Sequence, residues 1–373
     1  MKKVVHLAYE HSAKDVRIFL KECRTLAEAG YRVTYITSSK HDEAGIEIID
    51  NVKIIKLDVI SKRGIGRVKR YLSKIYREAI GQDANIYQIH EFILIPVAKK
   101  LIRQGKKVIY DTHENYATQL SSHLPVPWWL KAPAKKLIAS YERHFIRKCS
   151  GLICAVPNEY ERLKEYNESN LLLNNYPLII GSNINKEDYL SRPKCVCYTG
   201  IISSDRGAAC MIDGLGTIKD RLLLAGLISD DYLNVLRSNR NWSNVSYYGV
   251  LSREDMEKKV WSRSIAGVVI FPPNESYLEA VPNKLYEYMS AGLPVIASDF
   301  PIWRTFFSRY QCGLLVEPMS SEALSSAFQV LVNDLEYAYQ LGQNGFKAIK
   351  NELNWESEAK KLLIFFSNQG LGE

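Results

Sequence analysis

The chain has 373 residues, enough for two domains of ordinary size. Its 46% hydrophobic and 24% charged residues describe a soluble globular protein, and no apolar run nears the ~20 residues that span a bilayer. The net charge of +8 gathers into two basic stretches, residues 62–77 and 131–148, without a recognisable nucleic-acid module, so anionic lipid or an acidic substrate fits better than DNA or RNA.

The N-terminus carries two lysines and an apolar stretch too short for a signal peptide, which reads as a first buried strand. A cytoplasmic location is expected, with peripheral attachment at the inner membrane face as the variant. The seven cysteines show no CxxC pair and no even framework; Cys195 and Cys197 alternate with Val196 and Tyr198 as buried strand thiols. The seven histidines show no zinc spacing, and no metal is expected.

In chain order, strands are expected at 4–8, 31–37, 53–57, 86–89, 107–110 and 151–156. Helices fall near 16–29, 66–80, 93–104, 131–148 and 157–165. Such alternation with short turns predicts a parallel sheet covered on both faces. Residues 177–192 are polar and turn-rich and read as a linker between a first domain, 1–176, and a second, 193–354. The second set has strands at 194–198, 221–225, 245–248, 266–271, 295–298 and 313–316, again with helices between them. An amphipathic helix near 355–366 closes the chain.

The most informative stretch is 275–300. Pro282 and Asn283 stand where a helix starts, and Leu285, Tyr286 and Met289 follow at helical spacing. Gly292 suits the left-handed turn that ends a helix, Pro294 prevents continuation, and 295–297 is a strand-like run. Glu279 and Glu287 lie eight residues apart across the helix start.

This stretch resembles the E-x7-E signature of retaining nucleotide-sugar glycosyltransferases, those of family 4 in particular. The resemblance extends over nearly the whole chain. It implies an α/β fold of GT-B type, with two Rossmann-like doubly wound domains facing each other across a cleft, and a terminal helix, 355–373, that crosses back onto the first. The donor would be a nucleoside diphosphate sugar, with no further cofactor. By the same resemblance Glu279 faces the donor sugar hydroxyls and Glu287 holds the ribose hydroxyls; a carboxylate can accept from two adjacent hydroxyls. Ala280, Val281 and Pro282 would lay their backbone along sugar and phosphate.

Gly200 to Gly207 follow the first strand of the second domain and open a helix. They resemble the family's G-R-x-x-x-x-K-G segment, in which two basic residues hold the diphosphate. Arg206 matches the second basic position; Ile201 occupies the first. Lys284 is the candidate for the missing charge. The turn 248–251, with Val250, matches the segment beside the nucleobase.

In the first domain a strand runs into Asp111, Thr112, His113 and Glu114, at the strand end where ligands gather in doubly wound sheets. His113 matches the family histidine near the donor sugar, and a neutral imidazole could donate a hydrogen bond to a hydroxyl. His90 and Glu91 end another strand and are either acceptor-side groups or a helix cap. The first loop lacks G-x-G-x-x-G, which argues against a dinucleotide oxidoreductase; His11, Asp15 and Arg17 are its candidate acceptor contacts, with an N-cap as the alternative for Asp15. Trp128 and Trp129 beside the lysines and arginines of 131–148 form a candidate membrane surface.

The expected activity is retaining transfer of a hexose to a glycan or lipid-linked acceptor for a surface polysaccharide, with His113, Glu279 and Arg206 as catalytic residues. A sugar-nucleotide epimerase or hydrolase of the same architecture, and a non-catalytic sugar-nucleotide-binding partner protein, are the alternatives.

Overall fold

The computed structural model describes residues 2–39, 43–58, 65–123, 126–179, 185–217, 219, 221–278 and 281–371. The chain divides into two compact units, Met1–Asn175 with Trp355–Glu373, and Tyr176–Asn354.

The first unit is built on eight strands: β1 (Lys3–Leu7), β2 (Arg32–Ser38), β3 (Gly45–Ile49), β4 (Val52–Leu57), β5 (Ile86–Ile89), β6 (Lys107–Thr112), β7 (Gly151–Cys154) and β8 (Asn170–Leu172). They form one sheet in the order β3-β4-β2-β1-β5-β6-β7-β8, parallel except for β3, which runs antiparallel to β4. The central strands β5 and β7 are buried end to end because helices cover both faces, so no residue has a wet side to turn to. The chain builds outward from β1 in one direction, then restarts at β5 in the other. The gap between the carboxyl ends of β1 and β5 is the topological switch point.

Neither β3 nor β8 was anticipated. β3 is an edge strand whose Ile46 and Ile48 are exposed, and β8 has three half-buried residues, so neither shows the apolar run of a central strand. The helix Tyr116–His123 was also missed. The helix expected at 16–29 starts as a wider π-type coil, Val16–Cys23, and tightens to an α-helix at Arg24–Glu28. The final helix, Trp355–Phe366, belongs to this unit. Trp355 Nε1 donates to Thr25 Oγ1 at 2.9 Å, and Glu358 Oε2 accepts from the Asn174 backbone N–H at 3.0 Å.

The second unit has six parallel strands: β9 (Val196–Thr199), β10 (Leu222–Ala225), β11 (Ser246–Tyr247), β12 (Ala266–Val269), β13 (Val295–Ser298) and β14 (Gly313–Val316), in the order β11-β10-β9-β12-β13-β14. Its switch point lies between β9 and β12. Within the segment read as a linker, Lys186–Leu190 forms a helix. Tyr189 is buried there and donates its hydroxyl to Ile265 O at 2.5 Å, so an aromatic anchor fastens this stretch to the second unit. Residues 180–184 of that segment lie outside the described residues. The helix Asn283–Ser290 starts after Pro282, and Gly292 takes φ 61° at the turn into β13.

Candidate functional site

Each unit gathers its polar residues at its own switch point. In the second unit Gly200 follows β9 directly. Its φ of +120° favours glycine, and the end of the Lys284 side chain crosses the strand end where a Cβ would stand, its Cε 2.7 Å from that point. Lys284 Nζ sits 5.2 Å from the centre of the Tyr198 ring. The helix bearing Lys284 is fixed by Tyr288, whose hydroxyl accepts the Thr199 backbone N–H at 2.9 Å. Main-chain bonds join the neighbouring strand ends: Gly200 N–H to Ala225 O at 2.8 Å and Gly226 N–H to Gly249 O at 2.7 Å.

Arg206 stands in the short turn Ser204–Arg206 just beyond. Its guanidinium lies 5.0 Å from the Phe271 ring centre and 5.3 Å from that of Tyr277. Tyr277 in turn donates its hydroxyl to Asp205 Oδ2 at 2.9 Å. Stacking holds a planar cation in place while leaving its N–H groups to bind an anion. Burial, then the charge of Arg206, lowers Lys284 to about 8 in spite of Glu287. The side chains of Lys284 and Glu287 are three residues apart on one helix face. Among the described residues neither side chain has a hydrogen-bond partner. Ile201, where the family pattern has a cation, is 55% exposed and carries no charge.

The fold therefore brings Gly200, Arg206 and Lys284 together, with Glu287 beside them. Val250 follows the Gly249 turn and is exposed; Val281 and Pro282 are half-buried at the helix start. Glu279 and Ala280 lie outside the described residues.

In the first unit the ends of β1, β5 and β6 meet around one buried carboxylate. Asp111 Oδ1 lies 3.1 Å from Arg17 Nη2. Its Oδ2 lies 3.0 Å from His90 Nδ1, 3.3 Å from His113 Nε2 and 3.1 Å from Gln88 Nε2. Gln88 also donates to Glu22 Oε2 at 2.6 Å, and Arg17 Nη1 to Leu173 O at 2.9 Å. Arg17 Nε comes within 3.0 Å of Glu22 Oε1, an ion pair without hydrogen-bond alignment. Arg17 is thus sealed inside, tying the first helix to β6, and does not face an acceptor.

Asp15 caps the first helix, accepting from the backbone N–H of Arg17 and Ile18 at 2.9 and 2.8 Å. Its other oxygen is 3.1 Å from His11 Nδ1. Burial alone would raise Asp15, but the His11 hydrogen bond and the Ile18 N–H outweigh it and hold the carboxyl at about 2. The rings of His11 and His113 meet edge-on at 5.3 Å. Glu91 is buried and accepts from the backbone N–H of Tyr9 and Glu10, at 2.5 and 2.8 Å, so it braces the first loop.

His6, Glu22 and Gln88 were not singled out. The signal was present: one polar residue inside each of the apolar strands β1 and β5 and one on the helix, all facing Asp111. Donor atoms of His90, Asp111 and His113 lie close enough to hold a cation, as do those of His6, Glu22 and His90. Hydrogen bonds account for the spacing of the former three.

Beside this cluster is a groove of about 600 Å³, lined by Leu72, Phe92, Ile93 and Tyr141, with His11 and Glu91 in its wall. Tyr141 belongs to the helix Trp128–Ile146, on which Trp128, Trp129 and Leu137 are 84%, 60% and 73% exposed. Of the first basic stretch, residues 62–64 lie outside the described residues. Among the described residues no helix is long and apolar enough to cross a membrane.

A search of curated proteins finds no significant match. Residues 183–348 match the family described as glycosyl transferases group 1, and residues 16–170 match glycosyltransferase family 4. Among solved structures, a sucrose-phosphate synthase (tll1590) from Thermosynechococcus elongatus aligns with TM-score 0.74 at 16% identity, over 100% of both chains. Anabaena Alr3699/HepE, in complex with UDP and glucose, aligns with TM-score 0.71 at 12% identity, over 99% of this chain and 100% of that one. A UDP-forming trehalose-phosphate synthase from Burkholderia xenovorans aligns with TM-score 0.67 at 10% identity, over 99% and 100%. At these identities the structures speak for the fold, two parallel α/β sheets of GT-B type. The family matches run through both units, and the chain belongs to the group 1/family 4 glycosyltransferases, enzymes that draw a sugar from a nucleotide-sugar donor.

Proposed function

We propose that this enzyme transfers a hexosyl group, with retention of configuration, from a uridine diphosphate hexose to a lipid-linked glycan acceptor in surface polysaccharide synthesis. The observation that carries the donor side is the pair of cations, Arg206 and Lys284, beside the end of β9. Lys284 supplies from the helix the charge that Ile201 does not. The HepE complex with UDP and glucose supports the choice of base and sugar.

In the reaction the bond from the anomeric carbon to the diphosphate oxygen breaks, and a bond to the acceptor oxygen forms on the same face. The acceptor proton passes to the departing phosphate oxygen. Arg206 and Lys284 stabilise the charge that develops there. His113 and Glu279 place the sugar, Glu287 the ribose, and the main chain at Gly200, Val250 and 280–282 the base and phosphates. His11 and Asp15 border the acceptor, and the apolar groove beside them suits a hydrophobic anchor.

A panel of sugar nucleotides in thermal-shift assays tests the donor. A UDP-hexose at a hundredfold excess over its Kd is expected to add about 2.7 kcal/mol of stability. Nucleotide release should then require acceptor, and the product should keep the donor's anomeric configuration. Release without acceptor would turn the reading to a hydrolase or epimerase; no shift with any sugar nucleotide would end it.

Exposed indoles flanked by lysines on the helix Trp128–Ile146 support attachment to an anionic membrane face. Co-sedimentation with anionic vesicles is expected, weakened by salt. Trp128→Ala with Trp129→Ala is expected to lower the partition coefficient at least tenfold, or ~1.4 kcal/mol. Equal binding of wild type and variant to neutral and anionic vesicles would speak against it.

A further inference from the structure

We propose that Asp111 is a positioning residue that holds His113 in the tautomer protonated on Nε2, so that Nδ1, the nitrogen left for substrate, accepts a hydrogen bond from a sugar hydroxyl. The inference rests on the reading of His113 as a sugar contact and specifies what that contact selects. A group with only lone pairs, such as a carboxylate or an acetamido oxygen, finds no donor at Nδ1.

The argument is a count of protons. Burial would raise Asp111, but Arg17, then His113 and His90, outweigh it and hold the carboxyl well below the usual range. An ionised carboxylate only accepts. His90 Nδ1, 3.0 Å from Oδ2, and His113 Nε2, 3.3 Å from it, must therefore both carry hydrogen. Those two nitrogens also lie within hydrogen-bond reach of each other, at 3.4 Å, but each is closer to the charged Oδ2, which is the stronger acceptor.

Burial keeps His90 at about 4 and His113 below its ordinary value, so each ring has one proton near neutral pH. The second nitrogen of each is then bare. For His90 that nitrogen is Nε2, which accepts from His6 Nδ1 at 2.9 Å. The chain of tautomers ends at His6 Nε2, a buried lone pair without a hydrogen-bond partner among the described residues. At the other end it leaves His113 Nδ1. This nitrogen has no partner among the described residues, on a side chain that is 12% exposed. The cluster thus converts the imidazole that the sequence offered as a donor into an acceptor.

Two readouts test this. In the two-bond ¹H–¹⁵N spectrum of the full chain, His113 is expected to show a protonated Nε2 and a bare Nδ1. With a series of singly deoxygenated donor sugars, one position should lower kcat/KM about 10- to 100-fold, the scale of one lost hydrogen bond to a buried partner. In Asp111→Asn, whose amide can donate to Nε2 and move the proton to Nδ1, the hydroxyl can still accept, so that deletion should stay costly, while the deoxyfluoro donor at the same position, which offers lone pairs and no hydrogen, should gain in kcat/KM relative to its rate with the wild type. His113→Gln is the second variant: its amide can reproduce the Nε2 contact with Asp111 and places nothing at Nδ1, so it should keep its Tm and lose the discrimination. A proton on Nδ1 of the wild type overturns the proposal even in an active enzyme. A deoxy series as steep in His113→Gln as in the wild type, or a deoxyfluoro donor handled alike by Asp111→Asn and the wild type, overturns it even with the expected tautomer. Failure of the glycosyltransferase reading itself would be seen separately, as no turnover of any nucleotide sugar, and would remove the hydroxyl from the proposal.

Discussion

Replacing Lys284 with alanine is expected to lower kcat/KM for the donor about 10²- to 10³-fold, the scale of removing one preorganised charge partner from a developing anion. Arg206→Ala should act on the same scale, and the double variant should lose less than the product of the two, because both cations serve one diphosphate. Lys284 adds a pH dependence that Arg206 lacks. Lowered to about 8 by burial and by Arg206, it is charged at pH 7 and neutral well above 8. Donor kcat/KM should therefore fall as pH climbs through 8. Bound diphosphate favours the charged amine, so kcat at saturation should fall only at higher pH. Lys284→Arg should flatten the profile, since a guanidinium does not titrate in this range. Initial rates between pH 6.5 and 9.5 decide the matter: an unchanged rate in Lys284→Ala, or a profile shared by wild type and Lys284→Arg, would remove Lys284 from the site.

Arg17→Met is expected to destabilise the first unit by about 3–5 kcal/mol, the penalty for leaving buried charges without their partner. Arg17 touches Asp111, Glu22 and the Leu173 carbonyl, and methionine keeps most of the volume while removing all three contacts. The loss should depend on pH. Burial, then Asp111, already raises Glu22 against the opposing pull of Arg17. Without Arg17 it rises further, so its contribution is retained below the unfolded carboxylate value and lost as pH rises above it. Urea midpoints at pH 5 and pH 8 measure both effects. A midpoint that does not move at either pH would mean the pair contributes nothing net.

The two clusters differed in how legible they were. The helix start at Pro282, the glycine at 292 and the strand after it are local, written within a few residues, and the structure follows them. The Arg206 and Lys284 pairing spans 78 residues of sequence and was reachable because Ile201 left an unfilled charge in a familiar pattern. For His6, Glu22 and Gln88 the signal was weaker, with no familiar spacing behind it. They are single polar residues in apolar surroundings, and their meaning depends on which strands become neighbours. Arg17 shows the same limit from the other side: a charged residue in a polar loop was read as an acceptor contact, and packing placed it in the core.

The sequence alone settled the alternation of strands and helices and the family, because each rests on short-range periodicity and spacing. Tertiary structure decided the rest. Sheet order puts β1 between β2 and β5 and so collects residues 6, 17, 22, 88, 90, 111 and 113 around one carboxylate. Proton positions follow from that neighbourhood, since an imidazole's tautomer is set by what its other nitrogen touches, and contacts between distant strands do not exist until the sheet is assembled.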